Sequence, residues 1–322
     1  MNISDDYIPV LLDTIWVDTI VGCDLYLPNC AQGEIKYILY CNGTKTISSE
    51  KINELQNHKI ERLFIHKEDQ DKYLKYVESC FKNIINDSKI NISDKAQLVY
   101  HVAKNIMMDI FADPRSGKQV KRAKNWVGTT IDMIVNNKSA TGAMINILSF
   151  DYYTYTHSVN VAVLGLLFSR YLGLKYDELH LLGTGLLLHD IGKTQIESEI
   201  INKKGKLNEK EYMRVKMHVE LGANILTQVD GFDGVSLLPL RQHHEKCNGK
   251  GYPGGLKSDD IHKFGKIASI LDVYDALTTR RPYADARKPF SALKIMKDEM
   301  EGSFDSKLFT DFILFLSQQS EK

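Results

Sequence analysis

Between residues 157 and 275 the chain repeatedly sets imidazoles and carboxylates into stretches too apolar to face water. Leu186-Leu187-Leu188 runs straight into His189-Asp190, Leu237 to Leu240 lead to His243-His244-Glu245, and Ile267 to Leu271 lead to Asp272. His157 stands in the first turn of an apolar helical stretch, and His218 falls mid-helix after Tyr212 to Met217. A buried charge without a partner costs several kcal/mol, so such groups are normally paired or bound to metal. No obvious set of buried Arg or Lys accompanies them. A mixed nitrogen and oxygen donor set suits hard or borderline divalent ions, and a carboxylate can bridge two of them about 3.5–4 Å apart. A lone histidine is more often a satisfied core residue, and His58, His66, His101, His180 and His262 are read as core or surface. The weight falls on the adjacent pairs and on Asp272, which packing alone does not explain.

The rest of the chain divides by its periodicities. At 322 residues, and roughly 150 per domain, about two domains are expected. Residues 1–66 read as a small β-rich domain of the regulatory kind, with runs at Ile8–Ile20, Cys23–Leu27, Ile35–Tyr40 and Ile60–Ile65. Pro28-Asn29 is expected to break a run, and Asn42-Gly43 suits a hairpin turn because both residues tolerate positive φ. A short helix is expected from Glu50 to Gln56. Residues 67–139 change to three- and four-residue steps, with Ser93 as an N-cap and Asp113-Pro114 as a stop. They read as core helices or as a linking, dimerising stalk. In a third stretch Val120, Ala123, Val127, Ile131 and Ile134 share one face. Residues 140–322 contain no alternating run and read as all-α. The fold class is therefore α+β, a small β-rich domain followed by a helical bundle.

Composition narrows the function. Forty-one basic residues balance 41 acidic ones, so no global field draws the chain to a nucleic acid polymer or an anionic membrane. No long apolar run suggests a span, and Asp5-Asp6 stand where a signal peptide would carry positive charge. Five cysteines without a C-x-x-C pair read as reduced thiols, consistent with a cytoplasmic protein. The loop Asn248-Gly249-Lys250-Gly251-Tyr252-Pro253-Gly254-Gly255 is either a plain connection or a place where backbone approaches a ligand or partner closely.

Taken in order, His157, His189-Asp190 with Lys193, His218, His243-His244-Glu245, Gly249-x-Gly251-Tyr252-Pro253 and Asp272-x-x-Asp275-Ala276 resemble the HD-GYP domain. This is the bacterial subgroup of the HD-superfamily phosphohydrolases. Arg281-Pro282-Tyr283 and Phe304-Asp305 fit the same pattern, and the likeness covers residues 140–322. The segment around Ile8-Pro9-Val10 and Asp24 to Leu27 is similar to a small domain often found ahead of it.

The resemblance implies a metal-dependent phosphodiesterase. Its substrate would be cyclic di-GMP, opened to linear pGpG, and in some members cut onward to GMP, by attack of a metal-bridged hydroxide. His157, His189, Asp190 and Asp272 would hold one ion, while His218, His243 and His244 complete a second site bridged by Asp190. The family uses iron or manganese. Asp190 and Lys193 would be the catalytic pair, with Lys193 aimed at the scissile phosphate and Arg281 clamping a phosphate. Asp151, Asp275 and Tyr252 are further expected substrate contacts. Ile261, Gly265, Ala268, Asp272 and Asp275 trace one helix face, which would bring Asp275 to the same pocket. Some members carry a glutamate four residues before the first histidine that helps hold a third metal. Here Tyr153 occupies that position, so a binuclear site and a bias towards pGpG are expected. Two alternatives stand beside this reading: a non-catalytic sensor or protein-docking module using the Gly-Tyr-Pro loop, and a hydrolase of another nucleotide. A homodimer through the helical middle is a further expectation.

Overall fold

The computed structural model describes residues 6–31, 34–148, 154–279 and 286–320. Asp151, Tyr153 and Arg281 lie outside these. The chain forms two compact units, divided after Asn105.

The first unit is built on a four-stranded antiparallel sheet of order β1-β4-β2-β3, from β1 (Tyr7–Leu11), β2 (Leu25–Ala31), β3 (Glu34–Cys41) and β4 (Arg62–His66). Helix α1 (Ser49–Asn57) crosses from β3 to β4, capped by the Ser48 side chain, which accepts from the Lys51 amide. Helices α2 (Gln70–Ser79), α3 (Phe81–Asn86) and the start of α4 (Ile92–Ala112) follow. One sheet face and these helices share a core of Val10, Leu25, Leu63, Ile65, Leu55, Val77 and Ile84. Each such side chain, fully buried, stabilises by roughly 1.5–3 kcal/mol.

Four local expectations change here. The run expected over Ile8–Ile20 is a strand only to Leu11, because Leu12–Thr14 turn into a short 3-10 helix. Pro28 sits inside β2 rather than ending it. Strand β4 pairs with β2 only at Tyr26, so one flank of Pro28 needs no donor. Asn42-Gly43 makes no hairpin. The Gly43 amide donates to Asp24 Oδ1 at 2.7 Å and packs on the Cys23 backbone, where a Cβ would overlap it. The cap of α4 is Asn91, whose side chain accepts from the Asp94 amide at 2.9 Å, rather than Ser93.

The second unit is helical: the end of α4, then α5 (Gly117–Asn136), α6 (Ala140–Asn146), α7 (Thr154–Tyr171), α8 (Tyr176–Leu188), α9 (Ser198–Ile201), α10 (Glu209–Lys216), α11 (His218–Thr227), α12 (Leu238–Gln242), α13 (Lys263–Thr278), α14 (Pro289–Asp298) and α15 (Ser306–Ser320). Among its described residues the only β feature is a bridge between Asn248 and Lys257. The buried stripe of α5 contains the expected Val120, Ala123, Val127, Ile131 and Ile134. Helix α7 is buried without a break from Thr156 to Ser169. A helix apolar all round must be surrounded, and α7 packs on α6, α8, α13 and α15. Phe168 anchors α15 through Phe312 and Phe315 at 5.1 and 5.7 Å between ring centroids. This central helix carries His157 into the interior. Among the described residues no helix is long and apolar enough to cross a membrane.

Candidate metal centre

Five chain segments deliver the polar groups. His157 comes from the first turn of α7, and Asp272 from α13 packed against it. His189 caps the C-terminus of α8, and Asp190 opens a 3-10 turn over Ile191–Gln195. In that turn residues three apart eclipse one another, so Lys193 lies over Asp190 with Nζ 2.5 Å from Oδ2. His218 begins α11, since the helix expected to pass through it is interrupted at Met217. His243 and His244 follow α12.

Four of the five imidazoles converge through the same atom. His189, His218 and His243 each turn Nδ1 to a backbone carbonyl, of Leu186 at 2.7 Å, Val215 at 2.7 Å and Leu240 at 2.9 Å. His157 turns Nδ1 to Asp275 Oδ2 at 2.7 Å. A carbonyl oxygen only accepts, so Nδ1 carries the proton and Nε2 presents its lone pair inward. The His157 and His189 Nε2 atoms lie 3.3 Å apart, and those of His218 and His243 lie 3.2 Å apart. Asp190 stands between the two pairs. Its Oδ2 is 3.6 and 3.5 Å from Nε2 of His157 and His189, and its Oδ1 is 3.5 and 3.9 Å from Nε2 of His218 and His243. Asp272 faces His157 with Oδ1 at 3.1 Å and His244 Nδ1 with Oδ2 at 3.7 Å.

Electrostatics fits a cation. Burial drives the His189 imidazole down to about 3 and that of His218 to about 4, and lowers His243 and His244 as well. Neutral imidazole is the form that ligates metal. Burial pushes Asp190 upward, but the Lys193 ammonium together with the imidazoles of His189, His218 and His157 outweighs it and holds the carboxyl well below the usual range. Burial likewise opposes ionisation of Asp272, and the surrounding imidazoles of His157, His244 and His243 together outweigh it and hold the carboxyl well below the usual range. Asp190 Oδ1 is buried with no hydrogen-bond partner among the described residues. Such an orphan is costly, and a cation between the facing Nε2 atoms would satisfy it. Three overlapping groups have ligand atoms close enough to share an ion: His157, His189 and Asp272; His189, Asp190 and His243; and His218, His243 and His244. All seven residues expected as ligands therefore meet in one centre.

Other expected contacts land elsewhere. Asp275 does not face the cavity. It is buried behind His157, with Oδ2 taken by His157 and Oδ1 by Asn160 Nδ2 at 2.9 Å and Thr279 Oγ1 at 3.1 Å. One turn beyond Asp272 points behind the ligand rather than to its open side, so Asp275 orients His157. Asn160 and Thr279 complete this layer and were not singled out from the sequence. A buried Asn three residues after His157, on an otherwise apolar helix, was the signal available. Tyr252 is at the centre's rim, its ring stacked on His244 at 4.5 Å. Burial foremost, and then the carboxylate of Asp272, push its hydroxyl far above the ordinary tyrosine range. Glu245 takes no place among the ligands. Its buried carboxylate accepts from the amides of Gly254 at 2.6 Å and Leu256 at 2.9 Å, tying down the Gly-Tyr-Pro loop. Gly251 lets that loop close, since a Cβ there would overlap the backbone of His244 to Lys246. Asp151 and Arg281 fall outside the described residues.

Residues 129–308 match the HD domain family model, more than half of the chain. The chain belongs to the HD domain family. Within it, the motifs that resemble the HD-GYP subgroup are those that build this centre. Among curated relatives, a cyclic di-GMP phosphodiesterase of Pseudomonas aeruginosa is 32% identical over 220 residues, covering 68% of this chain and 53% of that protein. A 3'3'-cGAMP-specific phosphodiesterase of Vibrio cholerae is 38% identical over 168 residues, covering 52% of this chain and 38% of the relative. The chain thus spans about half the length, or less, of these relatives. A solved HDG"Y"P protein from Bdellovibrio bacteriovorus superposes over 97% of this chain and all of its own, with a TM-score of 0.68 at 22% identity, a likeness of fold.

Proposed function

We propose that this chain is a cytoplasmic, metal-dependent phosphodiesterase that opens cyclic di-GMP to linear pGpG. The observation that carries the reading is the convergence of five imidazoles and two carboxylates around the orphaned Asp190 Oδ1. His157, His189, Asp190 and Asp272 would hold one ion, and His218, His243 and His244 would complete a second site shared with Asp190. Iron or manganese suits this mixed donor set. Bound there, such ions supply Lewis acidity to a phosphoryl oxygen and a nucleophilic water near neutral pH.

The chain's own residues do the rest. Apolar helices α7, α8 and α13 keep water from the ligand side of the centre, so its charges act in a low-dielectric surround. The Lys193 ammonium lies beside Asp190 and can stabilise charge developing on non-bridging phosphate oxygens. Asp275 holds the His157 ring and its tautomer. Arg281 would clamp a phosphate bidentately. In the reaction one P–O bond of the ring breaks, the water oxygen bonds to phosphorus, and the leaving sugar oxygen takes a proton. Residues 1–66 would tune this activity, residues 67–139 would link or dimerise, and the Gly251-Tyr252-Pro253 loop would meet a protein partner.

The test is anaerobic incubation of the full chain, loaded with Mn²⁺ or Fe²⁺, with cyclic di-GMP and identification of products. Accumulating pGpG supports the reading; intact cyclic di-GMP beside fully loaded protein overturns it. A second reading, cleavage of a mixed cyclic dinucleotide, draws support from the 38% identity to the Vibrio cholerae enzyme. The same assay with 3'3'-cGAMP separates the two by the ratio of kcat/KM.

A further inference from the structure

Lys216 ends α10, two residues before His218. Its ammonium lies 4.7 Å from the ring centroid of Tyr212 and 4.9 Å from that of Tyr252. With Tyr252 stacked on His244, one column runs from the centre outwards: His244, Tyr252, Lys216, Tyr212. Three basic residues of the neighbouring segments are already committed. Lys193 is paired with Asp190 at 2.5 Å, Lys203 with Glu211, and Arg214 with Glu197 at 2.9 Å. Lys216 makes contact with the two rings, and no hydrogen bond or ion pair with a described residue. Ring faces attract the charge but leave the three N–H donors of an ammonium open to a stronger acceptor. A lysine in the last turn also suits the helix dipole. That role asks only for nearness to the helix end, whereas here the head is gripped from two sides at the mouth of the centre.

We propose that Lys216 is a substrate-binding residue whose ammonium, positioned by Tyr212 and Tyr252, receives the non-reacting phosphate of a cyclic dinucleotide. The proposal rests on the function given above. A cyclic dinucleotide carries two phosphates and is cut at one at a time, so the other keeps its full charge at the rim. The ammonium with unspent donors stands at that rim, above the one imidazole of the centre that is appreciably exposed, His244 at 25%.

The experiment compares Lys216→Met, Lys216→Arg and Tyr212→Leu with the unaltered, Mn²⁺-loaded full chain. Steady-state rates are taken on cyclic di-GMP and on bis(p-nitrophenyl) phosphate, which has one phosphodiester and no second phosphate, with metal content measured alongside. Losing a charged hydrogen bond to substrate should raise KM for cyclic di-GMP by about tenfold or more in Lys216→Met, with kcat within about threefold. Lys216→Arg should recover most of the loss, and Tyr212→Leu should lie between. Rates on the small substrate should stay within about twofold, at unchanged metal content. Equal losses on both substrates, or metal lost with the lysine, would assign Lys216 to the loop and overturn the proposal, as would an unchanged KM. If the unaltered loaded chain turns over no cyclic dinucleotide, the functional reading fails by itself. Equilibrium binding of cyclic di-GMP then decides Lys216: weaker binding in Lys216→Met upholds it, and equal or absent binding overturns it.

Discussion

The two sides of Asp190 are built differently. On one side stand His157, His189 and Asp272, with His157 gripped by Asp275, which is itself held by Asn160 and Thr279. On the other stand three imidazoles, His218, His243 and His244, steadied by backbone carbonyls and by the Tyr252 ring. The first side owns a carboxylate, Asp272, and its two imidazoles are 0% and 1% exposed. The second owns only neutral ligands and opens at His244. A site with its own anion and an orienting layer should hold a cation more tightly. If the centre holds two ions as proposed, one shared carboxylate would serve two unequal sites, and the order of loading would follow from what stands behind each ligand.

The most severe way to break this comparison is to remove what both sides share. Asp190→Asn should empty both sites and reduce turnover by about a thousandfold or more, read by metal analysis and product formation. The sharpest test of inequality pairs His157→Ala with His244→Ala. Metal titration should show His244→Ala retaining about one ion per chain while His157→Ala binds distinctly less. Equal retention would erase the distinction drawn here. Asp275→Asn keeps the shape but weakens the hold on the His157 ring, and metal affinity should fall about 10–100-fold while the helices persist by circular dichroism. Smallest is chelation of the intact protein. Removing ions present at about a hundred times their Kd withdraws roughly 2.7 kcal/mol, so the helical melting transition should fall by about 5–10 °C.

Much of this centre was legible because burying ionisable groups is costly enough to mark a sequence. His189-Asp190 after three leucines, and His243-His244 after another apolar run, admit few explanations, and the fold confirms their meeting. The fold class, strands first and helices after, was legible for a similar reason, since period-two and period-3.6 patterns do not mimic each other. What was not legible depended on depth. Periodicity put Asp275 on the face of Asp272, but a face says nothing about whether a side chain reaches past a ligand or behind it. Glu245 looked like a third member of a ligand run, yet its partners are the amides of Gly254 and Leu256, and backbone donors have no sequence signature. In the first unit, Asn42-Gly43 carried the chemistry of a hairpin and served a close approach to Cys23 instead. Local turn chemistry permits a conformation without choosing its use.

The crossing at Gly192 sets the gauge of the whole centre. A Cβ there would overlap the carbonyl of His218 and come within 2.5 Å of the Gly222 amide nitrogen, so the strand of chain after Asp190 and the start of α11 touch main chain to main chain. Side chains yield by changing rotamer, but main chain in contact does not. The span from Asp190 to His218 is therefore fixed by the stiffest material the protein has, and a single added methyl group would widen it in a direction that no ligand rotamer can recover.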